Sequence, residues 1–272
     1  MSQFPQFLRD RYGTDISHPH IRENDVVTCL LAHRSIRAYR PDPLPEGTLE
    51  TLIAAAQSAS SSSNLQTWSV VAVEDPDRKA TLSTLAGNQP YIRQCPLFLA
   101  WLVDLARLTQ IAEQRGLPHA GLDYLEMFLM AAIDAALASQ NAAIAAESLG
   151  LGIVYIGGLR NRPEEVASVL QLPPHVFGVF GMCVGYPDEA QSVAIKPRLP
   201  QSAVLHRETY QAAQNEAIAH YNTIMRDFYA AQQMNVAGDW AEHSVKRVAG
   251  AESLSGRDRL CEILNRLGFP LL

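Results

Sequence analysis

The chain has 272 residues, 47% of them apolar and 18% charged, with a formal net charge of −6. That composition excludes a fibrous or disordered chain, and the acidic balance argues against a general nucleic-acid surface while leaving room for a local basic pocket. The cysteines at 29, 95, 183 and 261 form no CxxC pair and no zinc spacing, nothing suggests a disulfide framework, and the three in apolar runs are expected as small buried hydrophobes.

The first residues, MSQFPQFLRDRYGTD, lack an apolar h-region, and no signal peptide is expected. His18 and His20 have no acidic or cysteine partner at metal spacing and are expected at the surface. Asp25 is placed as the cap of a helix over VVTCLLAH, ended by the prolines of RPDPLP. GTLETLIAAAQSA predicts a second helix and TWSVVAVE a strand. DPDRKATLSTLAG reads as a short helix, PLFLAWLVD as a buried strand, and 105–115 as helix.

A long alanine-rich helix is predicted over 123–149, with Leu125, Phe128, Leu129, Ala132, Ile133, Ala136 and Leu137 on one face and Gly150 as its cap. Asp123, Glu126, Asp134 and Glu147 make it too polar for a membrane span on this reading, and a cytoplasmic protein is expected. IVYI predicts a third strand, RPEEVASVLQL a helix, and HVFGVFGMCVGY a fourth strand. A loop follows to about residue 205, then helices at 206–230, WAEHSVKRVAG and RDRLCEILNRLGF. Strands alternating with helices would by pattern alone imply a parallel, doubly wound sheet.

Four segments are candidates for chemistry. HRSIRAYR concentrates Arg34, Arg37 and Arg40, which either complement the dipole of a helix end or await a phosphate, whose oxygens a guanidinium fork matches. Lys196 and Arg198 in IKPRLP form a second basic element, either a surface loop or the other half of one phosphate site. SASSSSNLQ joins a strong helix to a strong strand, and its hydroxyls and N–H groups suit a phosphate or a ribityl chain. LGLGIVYIGGLRN is not a dinucleotide loop, because Gly150 and Gly152 close a helix and enter a strand. Gly157 and Gly158 at the strand's far end allow either an ordinary turn or close approach to a flat ligand. No GxSxG elbow, P-loop lysine or HExxH is present, so the chemistry would come from an organic cofactor.

Taken together, HRSIRAY, SASSSSNLQ, LAGNQPYI, SQNAAIAAESLGLGIVYIGGLRN, FGMCVGYPD and KPRLP resemble the nitroreductase superfamily over roughly residues 25–205, in particular its oxygen-insensitive major nitroreductases and NADPH–flavin oxidoreductases. The resemblance implies an α+β nitroreductase-like fold in a single FMN-binding domain over 1–272. A central mixed, mainly antiparallel sheet is wrapped by helices, and a C-terminal helical arm over about 206–272 embraces a dimer partner. It implies a homodimer with FMN at the interface, no nucleic acid, no membrane and no metal.

By the same resemblance, His33, Arg34, Ser35 and Arg37 hold the FMN phosphate and the ribityl and pyrimidine side, with Lys196 and Arg198 completing the phosphate clamp. Ser61, Ser62 and Ser63 come from the other subunit. Gln89 and Tyr91 contact the flavin, and the turn at Ile156, Gly157 and Gly158 offers a backbone N–H near N5. Asn64 shapes the acceptor pocket and Arg160 meets NAD(P)H. No catalytic side chain is implied. NADPH or NADH passes a hydride to the flavin, and a small-molecule acceptor, a nitroaromatic or a quinone, then takes electrons in pairs. Two alternatives stay open: a flavin reductase supplying reduced FMN to a partner enzyme, and a flavin-binding protein without NAD(P)H turnover. The loop 229–240, YAAQQMNVAGDW, has no lysine or arginine where NADPH-preferring relatives carry arginines.

Overall fold

The computed structural model describes residues 2–14, 21–191 and 193–272. His18 and His20 lie outside the described residues. In chain order the helices and strands are α1 (Phe4–Tyr12), α2 (Asp25–Ala32), α3 (Thr48–Gln57), β1 (Trp68–Val73), α4 (Pro76–Leu85), α5 (Pro90–Gln94), β2 (Leu97–Asp104) and α6 (Ala106–Arg115). They continue with α7 (Leu125–Ser148), β3 (Gly152–Ile156), α8 (Pro163–Leu170), β4 (Val176–Gly185), α9 (Asn215–Ala231), α10 (Trp240–Lys246) and α11 (Leu260–Arg266). The chain divides into two compact units, one of residues 1–34 with 192–254, the other of 35–191 with 255–272.

The larger unit holds a four-stranded sheet in the order β1-β2-β4-β3, every neighbouring pair antiparallel. This overturns the parallel arrangement expected from the alternating pattern and agrees with the one implied by the resemblance. Among the described residues the parallel pairing is a single bridge, Ser35 to Ile153. The β1–β2 and β3–β4 connections carry helices yet return the strand antiparallel, whereas β2 and β3, joined through α6 and α7, run in the same direction with β4 between them; alternation alone cannot distinguish these arrangements.

All of β2 from Leu97 to Val103 is buried. Leu97, Leu99 and Trp101 pack with Leu52 and Ala56 of α3 and Ala138, Ala142 and Ala146 of α7. The alternate residues Phe98, Ala100 and Leu102 are buried as well. Strands covered on both faces read as continuous apolar runs, which is why PLFLAWLVD is legible. Gly181 makes room for this packing: a Cβ there would stand 2.2 Å from the Phe98 ring.

The alanine side of α7 is its inner face, with Ala131, Asp134, Ala135, Ala138, Ser139, Ala142, Ala143 and Ala146 buried. Leu125, Leu129, Ile133 and Leu137, expected as its main apolar face, are 54, 52, 51 and 45% exposed. Small residues let the helix approach the sheet closely. Among the described residues α7 is the one helix long and apolar enough to cross a membrane by length and composition. Its buried face packs on the sheet and on α3.

Several ends differ from expectation. Asn24, not Asp25, caps α2, its side chain accepting from Val27 N–H at 2.8 Å. That helix stops at Ala32; Arg34, just past its cap, donates from Nη1 to the Ala32 carbonyl at 3.2 Å, as a cation at a helix end does, while Arg37 and Arg40 lie beyond it. Gly150 does follow α7 in the left-handed region at φ +78°. α9 begins at Asn215 rather than near 206. α1 and α5 were not expected from the sequence, both being short.

The smaller unit contains α1, α2, α9 and α10. Its core is Tyr221, Met225 and Tyr229 of α9, with Leu199, Phe228, Val236 and Trp240 against them. Asp239 caps α10 by accepting from Glu242 N–H at 3.0 Å. The segment 255–272 lies in the larger unit, where Leu264 and Phe269 pack with Val103, Ala131 and Phe177.

Candidate functional site

Residues 35–40 run as an extended strip beside the sheet. Ile36 N–H donates to the Ile153 carbonyl at 2.9 Å, and Arg40 N–H to the Tyr186 carbonyl at 3.0 Å. Gly152 permits this close approach, since a Cβ there would stand 2.5 Å from Ile36 Cγ1. Buried Tyr39 ties the strip to itself, its hydroxyl donating to the Ile36 carbonyl at 2.8 Å. Arg37 stands exposed between the two fixed ends.

Arg37 lies beside Tyr91. Burial pushes the Tyr91 phenol up, and the Arg37 guanidinium opposes that shift through charge and a hydrogen bond. Tyr91 donates to Gln89 Oε1, and Gln89 Nε2 donates to the Ala86 carbonyl at 2.9 Å. Gly158 closes the group: a Cβ there would lie 2.4 Å from the Ala86 oxygen and 2.9 Å from Gln89 Nε2. At Gly157 the nearest atom to such a Cβ is Arg160 Nη2, at 3.6 Å, so that side is more open. Arg37, Gln89, Tyr91 and Gly158, from three distant segments, therefore form one contiguous group, with Ile156 buried beneath its turn.

Arg160 folds back over this turn and donates to the Val179 carbonyl. Burial, reinforced by Arg257, lowers its pKa. Asn161 Oδ1, next along, is buried with no hydrogen-bond partner.

The serine loop is built on a buried carboxylate. Asp134 of α7 accepts from Ser61 Oγ at 2.6 Å, Ser62 N–H at 3.2 Å and Thr67 Oγ1 at 3.4 Å. Ser63, Asn64 and Gln66 have φ of 49°, 55° and 52°, a conformation that non-glycine residues adopt rarely. Ser62, Ser63 and Asn64 are exposed. Among the described residues no hydrogen bond joins this loop to the group around Arg37.

In the smaller unit a buried arginine organises the remaining segments. Arg11 of α1 donates to the carbonyls of Leu31 and Lys196, each at 3.0 Å, and of His33 at 2.6 Å. Arg198 N–H donates back to the Arg11 carbonyl at 2.8 Å. Lys196 and Arg198 line a cavity of about 720 Å3 floored by Tyr221, Met225 and Trp240. Arg34 lines a different cavity, of about 910 Å3, against α1 and α9. The backbones of the two basic motifs thus meet at Arg11, while the side chains of Arg34 and of the Lys196–Arg198 pair face separate cavities.

The donors suit an anionic, flat group. Arg34, Arg37 and Arg198 form no ion pair among the described residues, in a chain with 28 acidic side chains. Arg34 and Arg198 each donate from Nη1 to a backbone carbonyl, of Ala32 and of Lys196, and no carboxylate among the described residues takes up their charge. The described residues contain no cluster of three His, Cys, Asp or Glu able to hold a metal.

Residues 30–186 match the model of the nitroreductase family, and residues 196–272 match the model of that family's C-terminal domain. The chain belongs to the nitroreductase family. A relative in that family is the FMN reductase (NADPH) of Bacillus subtilis, 44% identical over 211 residues, covering 76% of this chain and 84% of the relative. The NADPH-flavin oxidoreductase of Vibrio harveyi is 37% identical over 247 residues, 90% of this chain and 98% of the relative. The solved structure of NADPH:FMN oxidoreductase from Vibrio harveyi complexed with NAD+ aligns with a TM-score of 0.81 at 36% identity, covering 91% of this chain and 99% of that one. The nitroreductase model begins at residue 30, so α1 and Arg11 precede it.

Sequence reasoning missed Arg11 and Asp134. Asp134 had a signal, since it shares the helical stripe of Ala131, Ala135 and Ala138. Arg11, in the last turn of a short helix with Arg9 nearby, had none.

Proposed function

We propose that this nitroreductase-family chain is an FMN-dependent NAD(P)H oxidoreductase that delivers electrons in pairs to a nitroaromatic or a quinone. The observation that carries this reading is the convergence of Arg37, Tyr91, Gln89 and Gly158. FMN, when bound, supplies the hydride-accepting chemistry that no side chain of the site offers. The protein's part is to bind, orient and tune.

In this reading Arg34, Arg37, Lys196 and Arg198 provide the positive charge for the phosphate, and His33 and Ser35 line the ribityl and pyrimidine side. Gln89, Tyr91 and the Ile156–Gly158 turn face the ring system. Ser61, Ser62 and Ser63 reach the flavin of a partner subunit, and Asn64 and Arg160 border the acceptor and nucleotide. The whole chain then works as one flavin-binding domain in a cytoplasmic homodimer. The exposed Leu125, Leu129, Ile133 and Leu137 support the dimer, forming an i, i+4 apolar stripe suited to a second copy. The NADPH in the relatives' names favours NADPH as donor, although the 229–240 loop lacks basic residues.

Anaerobic titration of the purified protein with NADPH and with NADH tests the reading. The yellow protein should bleach stoichiometrically. Failure with both donors would leave a flavin-binding protein without turnover, and a colourless protein that takes up no FMN would remove the flavin assignment itself.

A second reading, a flavin reductase supplying reduced FMN to a partner enzyme, is favoured by the names of the relatives. Steady-state competition distinguishes it, because free FMN then competes with the nitroaromatic as second substrate.

A further inference from the structure

Arg11 is 8% exposed, and a buried cation requires partners that compensate its lost hydration. Its partners include backbone carbonyls of two segments far apart in sequence, Lys196 on one side and Leu31 and His33 on the other. Leu31 lies in the last turn of α2 and His33 follows that helix's end, where carbonyl dipoles present negative potential. Such oxygens repel a phosphate. A guanidinium on them takes up these oxygens, as Arg34 does for the Ala32 carbonyl at 3.2 Å, and it holds His33 and Lys196 at a fixed separation.

We propose that Arg11 is a positioning residue for phosphate recognition: it clips the HRS and KPR segments together and engages the carbonyl oxygens beside them. This rests on the FMN reading above. The device sits on a helix that precedes the matched region of the nitroreductase model, and so adds to what that model covers. Arg11 itself has its guanidinium occupied by carbonyls, so it acts through its neighbours rather than as a ligand.

The test compares FMN with riboflavin, which differ only in the phosphate. Flavin-depleted wild type, Arg11→Gln and Arg11→Lys are titrated with each by fluorescence quenching. The Arg11→Gln variant should bind FMN roughly tenfold or more weakly, the scale of one charge-assisted hydrogen bond, with riboflavin affinity within about twofold of wild type. Arg11→Lys keeps the charge without the fork and should fall between. A general loosening of the fold would weaken both ligands in parallel, and that result, or an unchanged FMN-to-riboflavin ratio in either variant, overturns the proposal. If Arg11→Gln does not fold, Arg11→Lys decides by the same ratio. Wild type that binds no FMN would instead overturn the flavin reading.

Discussion

Ser61 donates its hydroxyl to the buried carboxylate of Asp134 at 2.6 Å, and that bond anchors a loop with three non-glycine residues at positive φ. Asp134→Ala strands the Ser61 hydroxyl and the Ser62 N–H and releases the loop's restraint. Hydrogen bonds to charged groups are worth about 1.5–3 kcal/mol each, so the variant should lose at least ~2 kcal/mol in urea unfolding. Limited proteolysis should show new cleavage within residues 61–67.

Gly158 has no space for a side chain. Gly158→Ala would place a methyl 2.4 Å from the Ala86 carbonyl, forcing the turn away from Gln89. Overpacking of this kind costs about 1–3 kcal/mol. A lowered melting temperature together with weaker FMN binding is expected; unchanged FMN affinity would mean that the turn does not face the flavin.

Arg37→Ala combined with Lys196→Ala removes two cations assigned to the phosphate. Removing each charge-assisted hydrogen bond should weaken binding by roughly tenfold or more, so the double variant should be purified colourless and need excess FMN to regain flavin absorbance. Tight retention of FMN would put the phosphate elsewhere.

The exposed stripe of α7 predicts an assembly phenotype. Leu129→Glu with Ile133→Glu puts charge on residues 52 and 51% exposed in one chain, so the fold of the single chain should survive. Light scattering should show a shift from dimer to monomer, with FMN affinity falling alongside. A dimer of unchanged strength would exclude this face as the interface.

Tyr39 makes stability sensitive to alkali. Its phenol is pushed up, first by burial and then by Cys183 and Cys95, with Arg37 opposing. The folded chain therefore keeps a proton that the unfolded chain gives up near the ordinary tyrosine pKa of about 10. Stability from this group is full below that pH and falls as pH rises beyond it. Tyr39→Phe should cost about 1 kcal/mol at neutral pH by removing the bond to Ile36, and should flatten the decline in urea midpoint between about pH 10 and 11. An equally steep decline would assign it to the other raised phenols, Tyr91, Tyr155, Tyr221 and Tyr229.

The four strands and the long helix were legible because each carries a dense local pattern. β2 is a run of apolar residues buried on both faces, and α7 is 24 residues without a breaker. α1 and α5 were not legible, since nine and five residues with an early proline give too few turns for periodicity to emerge. Which face of α7 turns inward was not legible, for a physical reason. Hydrophobicity marks Leu125, Leu129, Ile133 and Leu137, but close approach to a sheet selects for small volume, so the alanines went inside and the large residues were left for another surface.

The residues proposed to carry the chemistry, HRSIRAY, GNQPY, IGGLR and KPR, were determined by sequence alone, because their types and order match one family. What only the tertiary structure decided is which of them meet. Arg37, Tyr91, Gln89 and Gly158 join because the 35–40 strip bridges to β3 at Ile153, and that bridge depends on a glycine at 152 with no room for a side chain. Arg11 and Asp134 acquired roles only through burial, where a charged group must find partners; the carbonyls that accept from Arg11 lie 20 to 185 residues away, and the donors to Asp134 lie 67 to 73 away. Spacing along a chain holds no record of the pairings that long-range packing creates.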